Sequence, residues 1–136
     1  MIVVDTSALA KLLVAEEQSD ALRRALAGRS ATGEEFAIST IAVTELRRLA
    51  IRLDVSPERI EPIVGQFRVL RLTESVLQLA GRLPTRHLGT LDAIHLATAL
   101  AAEATALLTY DRRQAEAAER EGVAPISPTD ERRSHE

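Results

Sequence analysis

Four acidic side chains stand in or beside apolar stretches far apart in the chain. They are Asp5 after Ile2-Val3-Val4, Glu45 inside Ile41-Ala42-Val43-Thr44-Glu45-Leu46, Asp92 between Leu91 and Ala93-Ile94, and Asp111 after Leu107-Leu108-Thr109-Tyr110. Gathered in one pocket, such carboxylates repel one another and raise some of their pKa values, and a cation is the natural relief. The chain has three histidines, none forming a ligand pair, and no cysteine. Oxygen-only donors favour a hard ion, Mg2+ or Mn2+, over zinc. Held by one or two carboxylates, Mg2+ keeps several waters, binds a phosphate oxygen and activates water for attack on phosphorus, which suits phosphodiester hydrolysis.

Each acid taken singly also has a structural reading: Asp5 as a helix cap, Asp92 as a first-turn dipole partner, Asp111 as a turn residue, Glu45 as a solvated helix face. Their shared company decides between the readings. Asp5 and Asp111 follow apolar strands at the edge where parallel sheets bind ligands, and Asp92 is flanked by apolar residues that a merely solvated carboxylate does not need.

Short β-type runs alternate with helical periodicity, the pattern of a three-layer α/β fold. Strands are expected at Ile2–Val4, Phe36–Ser39, Phe67–Leu72, Ala106–Thr109 and Val123–Ile126. Between them the spacing predicts helices through Leu9–Leu13, from about Glu16 to Ala27 with Gly28 as its stop, from a Thr40 cap through Leu53, and from Ser56-Pro57-Glu58 to Gly65. Further helices run from Thr73 to about Arg82, from a Thr90 cap to about Glu103, and over Gln114–Glu121 after a Tyr110–Arg112 turn. Residues 1–127 thus read as one domain, and the polar tail 128–136 as lacking fixed structure.

With 136 residues and 46% hydrophobic content, the chain can bury a core without staples. No apolar run approaches the roughly 20 residues a bilayer crossing requires. Absence of cysteine agrees with a reducing compartment, and a cytoplasmic location is expected. Of 17 basic residues all but Lys11 are arginine, and the net charge is -3, which argues against a protein that coats nucleic acid non-specifically. Arg47, Arg48, Arg112 and Arg113 lie close in sequence to Glu45 and Asp111 and could hold a phosphate backbone locally. Phe36, Phe67 and Tyr110 supply no base-stacking platform.

Four segments resemble the signature segments of PIN-domain ribonucleases: Val3-Val4-Asp5-Thr6-Ser7-Ala8-Leu9, Ile38–Leu46, Leu91-Asp92-Ala93-Ile94-His95-Leu96-Ala97-Thr98-Ala99, and Leu108-Thr109-Tyr110-Asp111. Their order and separation match as well. The small size, the DTSAL opening and the LDAIHLATA stretch are similar to VapC toxins of type II VapBC toxin-antitoxin systems. The resemblance implies a PIN-like three-layer sandwich, with a central, mainly parallel five-stranded sheet flanked by helices. It also implies Mg2+-dependent RNA cleavage, a cognate VapB-type antitoxin as inhibitor, and a homodimer. Asp5, Glu45, Asp92 and Asp111 fall on the family's acidic quartet, and Ser7 and Thr109 on hydroxyl positions that assist water or metal placement. His95, three residues after Asp92, is read as packed beside the site.

Other enzyme classes fit less well. No G-x-G-x-x-G or G-x-x-x-x-G-K-[ST] occurs, and Asp5-Thr6-Ser7 lacks the second aspartate of haloacid-dehalogenase-type phosphatases. The alternative from a different class is a PIN-like scaffold that binds RNA or a partner without cutting, and metal-dependent turnover separates the two.

Overall fold

A computed structural model describes residues 1–130. In chain order the elements are β1 (Ile2–Val4), α1 (Thr6–Leu13), α2 (Ser19–Ala31), β2 (Phe36–Ser39), α3 (Thr40–Arg52), a 3-10 turn (Pro57–Arg59), α4 (Ile60–Val64), β3 (Arg68–Leu70), α5 (Glu74–Arg82), α6 (Thr90–Ala101), β4 (Ala106–Leu108), α7 (Arg112–Arg120) and β5 (Ala124–Ile126). The strands form one sheet in the order β3-β2-β1-β4-β5, and every pairing is parallel.

Alternation along the central strands explains the three layers. Ile2 and Val4 of β1, with Ala106 and Leu108 of β4, enter a core shared with Leu9 and Leu13 of α1, Leu22 of α2, Leu46 of α3 and Ile60 of α4. Val3 and Leu107 face the other way, against Leu96 and Ala99 of α6 and Ala117 and Ala118 of α7. A side chain such as Leu107, with no exposed surface, contributes about 2 kcal/mol by that burial. Because β1 is covered on both faces, Ile2–Val4 reads as an unbroken apolar run.

Several boundaries differ from the sequence reading. α2 begins at Ser19, since Gln18 adopts a left-handed φ of 71° and the Ser19 hydroxyl donates to the Lys11 carbonyl at 2.8 Å. Gly28 lies inside α2, and the chain reverses at Gly33, with φ 89°. The cap of α3 is Ser39, whose Oγ accepts from the Ile41 N–H, while Thr40 donates instead to the Leu70 carbonyl at 2.9 Å. Gly89, not Thr90, occupies the N-cap of α6 and supplies no side-chain bond. α7 starts at Arg112 because Asp111 caps it. β3 keeps only Arg68–Leu70, an edge strand whose one neighbour is β2. Ser127–Asp130 are tied to the domain: the Ser127 hydroxyl donates to the Thr109 carbonyl at 2.6 Å, the Tyr110 hydroxyl to the Pro128 carbonyl at 2.6 Å, and the Asp130 N–H to Gln18 Oε1 at 2.8 Å. The rest of the expected tail, 131–136, lies outside the described residues.

Candidate active site

Strand order locates the site before any side chain is considered. From β1 the chain steps outward to β2 and β3, then returns to lay β4 on the opposite side of β1. Such a reversal opens a crevice outside the carboxyl ends of the two strands that flank it. Asp5 immediately follows β1, and Asp111 follows β4 after Thr109 and Tyr110. Asp92 enters from the first turn of α6 and Glu45 from the N-terminal half of α3.

Asp5 is 1% exposed. Its Oδ1 caps α1, accepting from the Ser7 N–H at 3.0 Å and from the Ser7 hydroxyl at 2.5 Å. Ser7 Oγ in turn accepts the Tyr110 N–H at 2.9 Å and lies 3.3 Å from Thr109 Oγ1, which accepts the Asp111 N–H at 3.1 Å. Ser7 and Thr109 therefore stitch the carboxyl end of β1 to that of β4. Asp111 Oδ1 accepts from the backbone N–H groups of Arg113 at 2.8 Å and Gln114 at 3.3 Å.

Burial pushes the Asp5 carboxyl above the usual carboxylate range, although hydrogen bonds from Ser7 and Thr109 and the His95 charge pull the other way. Asp92 is also pushed up, first by burial and then by the negative charges of Asp111, Asp5 and Glu45, against an opposing pull from His95. Asp92 is thus the carboxylate on which the repulsion of its acidic neighbours falls.

Glu45 belongs to the cluster electrostatically but has its own partners. Its Oε1 lies 2.5 Å from Nε2 of His95 and accepts the Thr6 hydroxyl at 2.8 Å. Burial pushes its carboxyl up, yet the hydrogen bonds from His95 and Thr6, with the charges of His95 and Arg52, outweigh burial and leave it below its usual value. His95, 1% exposed, is thus bonded to a member of the quartet rather than only packed beside it.

The donor chemistry fits a hard divalent ion: oxygen donors only, with negative charge crowded around Asp92 that a cation relieves. Among the described residues no three Asp, Glu, His or Cys side chains meet as a ready-made metal cage.

The arginines divide. Arg47 pairs with Glu61 at 3.6 Å, directed along α4. Arg48, Arg112 and Arg113 are exposed and make no ion pair among the described residues. Arg113 lines a cavity of about 350 Å³ with Thr85, His87, Glu116 and Arg120. Sequence reasoning missed Thr6, Arg52 and Gln114. Arg52 stands seven residues after Glu45, two helical turns along the same face, and Gln114 stands three after Asp111, the spacing of a capping box.

Residues 2–120 match the family described as the PIN domain. The chain belongs to that family. This PIN domain is 39% identical over 132 residues to the ribonuclease VapC47 of Mycobacterium tuberculosis, covering 94% of this chain and 97% of that one. It is 40% identical over 131 residues to VapC46 of the same species, covering 94% and 98%. It falls, then, among the VapC ribonucleases. Among solved structures it superposes on M. tuberculosis VapC20, a sarcin-ricin-loop-cleaving toxin, with a TM-score of 0.72 at 18% identity, covering 94% of this chain and all (100%) of that one. On VapBC2 from Rickettsia felis, bound to a DNA fragment from its promoter, the TM-score is 0.74 at 16% identity, covering 94% and 99%. These likenesses show the expected sandwich, and its sheet is wholly parallel.

Proposed function

We propose that this PIN domain is a VapC-type endoribonuclease toxin that hydrolyses RNA phosphodiester bonds with Mg2+, or Mn2+ in its place, and that a VapB-type antitoxin neutralises it. The reading rests above all on one observation: buried Asp5 and half-buried Asp92, held above the usual carboxylate range beside Asp111, at the crevice where the sheet reverses direction. A fold that needed these residues only as caps would have no reason to set them against one another.

In this reading Asp5 and Asp92 hold the ion and Asp111 completes the site directly or through water. When bound, the ion supplies positive charge at the phosphate oxygens and lowers the pKa of the attacking water. Glu45, its Oε1 held by His95 and Thr6, orients that water with its remaining oxygen. Ser7 and Thr109 position the carboxylates of both strands. Arg48, Arg112 and Arg113, free of ion pairs among the described residues, take the phosphate backbone, contacts that fix position and carry little sequence information. Arg47, paired with Glu61, is left out of that role.

Support for the antitoxin comes from the solved relatives, one of them a toxin-antitoxin complex from Klebsiella pneumoniae that matches with a TM-score of 0.65 at 23% identity. The acidic cup suits a basic antitoxin side chain. A homodimer is the common assembly of small domains. No helix among the described residues is long and apolar enough to cross a membrane, which is consistent with action in the cytoplasm.

The test uses purified wild type, Asp5→Asn and Asp92→Asn with RNA, in Mg2+ and in EDTA. Wild type is expected to cut only with the ion, and neither variant to cut. Full activity in either variant refutes the assignment, and RNA binding without turnover in the wild type favours the scaffold alternative.

A further inference from the structure

Gln114 has no exposed surface, yet its side-chain Oε1 is buried with no hydrogen-bond partner among the described residues. An unpaired buried polar atom is unfavourable, and an apolar side chain of the same length would fill the space without it. Something other than packing must therefore account for a glutamine here. The other end of the amide supplies it: Nε2 donates to the backbone carbonyl of Asp92 at 2.8 Å.

Local sequence alone suggests a different partner. Asp111 at the N-cap and Gln114 at the third helical position spell a capping box, in which the glutamine would reach back to the N–H of its own cap residue. That N–H is already taken, at 3.1 Å, by Thr109 Oγ1. The Gln114 amide is thus free to cross to α6, whose first turn begins at Gly89 without a side-chain cap. Gln114 consequently grips both acids: its backbone N–H donates to Asp111 Oδ1 at 3.3 Å, and its side chain holds the turn that carries Asp92.

We propose that Gln114 is a positioning residue for the divalent-metal site, fixing the first turn of α6 so that the Asp92 carboxylate stands at the separation from Asp111 and Asp5 that lets an ion bind. The inference rests on the metal-dependent reading of the site, and Gln114 itself touches neither ion nor RNA. The first turn of α6 has no side-chain cap of its own, so without the Gln114 amide nothing ties it to the Asp111 end of α7 and the binding geometry loosens. Groups that orient metal ligands in this way typically carry about tenfold or more in affinity.

The experiment compares wild type with Gln114→Met, which keeps the length and loses the amide, and with Gln114→Leu should methionine not be accommodated. Mn2+ alone is titrated into each purified protein by calorimetry, and thermal unfolding is followed in EDTA. The expected result is Mn2+ binding weakened by roughly tenfold, while Tm in EDTA stays within about 3 °C of wild type because the orphaned Oε1 leaves with the amide. A residue serving only packing would give the reverse, a shifted Tm with unchanged Mn2+ affinity, and that outcome overturns the proposal. Wild type that binds no Mn2+ in the millimolar range overturns the metal reading and the proposal together, whereas equal binding by wild type and variant overturns the role of Gln114 alone.

Discussion

Removing one charge from the aspartate cluster is expected to stabilise the metal-free protein. In Asp92→Asn the side chain keeps its size and Oδ1 but loses the charge that burial, Asp111, Asp5 and Glu45 oppose. The change also forfeits the favourable placement of a negative charge in the first turn of α6, about 0.3–1 kcal/mol. The net direction on Asp92 is upward, so repulsion and burial outweigh the pull of His95. A net gain on the order of 1 kcal/mol is in the range seen when strained functional residues are replaced, and for 136 residues it raises Tm by about 3–4 °C. The sign with pH follows from the raised folded-state value. Below the ordinary carboxylate range Asp92 is protonated in folded and unfolded chains alike, and the charge penalty is absent. As pH rises the unfolded chain releases the proton first, so wild type loses stability until pH passes the folded value and the deficit levels off. The advantage of the asparagine variant is therefore full at neutral pH and shrinks on acidification. Mn2+ reverses the order, since it stabilises only the protein that binds it. Thermal unfolding of both proteins in EDTA along a pH series, then with Mn2+, checks each step. A lower Tm for Asp92→Asn in EDTA at neutral pH, or an offset that does not shrink in acid, refutes the reasoning.

Further outcomes follow from the same geometry. His95→Phe keeps the ring volume and deletes the Nε2 contact to Glu45, with an expected loss of about 1–3 kcal/mol at neutral pH in thermal melts. Glu45 sits below its usual value, so the stability it contributes is present above the ordinary glutamate range and lost as pH falls through the lowered folded value; the deficit of the variant therefore narrows in acid. Gly28→Ala places a methyl group in open space inside α2 and is expected to raise stability by about 0.5–1 kcal/mol. Gly33→Ala, at φ 89°, should lower it by a comparable or larger amount; equal melting temperatures for the two variants would contradict the placement of the α2 terminus.

Much of the site was legible because its residues announce themselves locally. Asp5 and Asp111 directly or nearly follow apolar strands, and Asp92 stands in an apolar helix that is buried from Ala93 to Ala99. Boundaries were less legible where neighbouring residues compete for one structural task. Ser39 and Thr40 can both cap α3, and the choice fell to Ser39 because Thr40 meets the Leu70 carbonyl of β3, thirty residues on. Gly28 looks like the stop of α2, but the backbone turns left-handed only five residues later, at Gly33. The pairings of His95 with Glu45 and of Gln114 with Asp92 were invisible, since their partners lie 50 and 22 residues away.

From the linear order of residues alone came the alternation of strands and helices, the four acids and their hard-donor character, because hydrophobic period and side-chain chemistry are local properties. Tertiary structure decided which acid bears the repulsion, which one is held by histidine, and which arginines are without an ion pair among the described residues. Those outcomes depend on which elements the fold brings side by side, α3 with α6 for Glu45 and His95 and α3 with α4 for Arg47 and Glu61, and electrostatic coupling is set by separation in space and burial, neither of which is written in neighbouring residues.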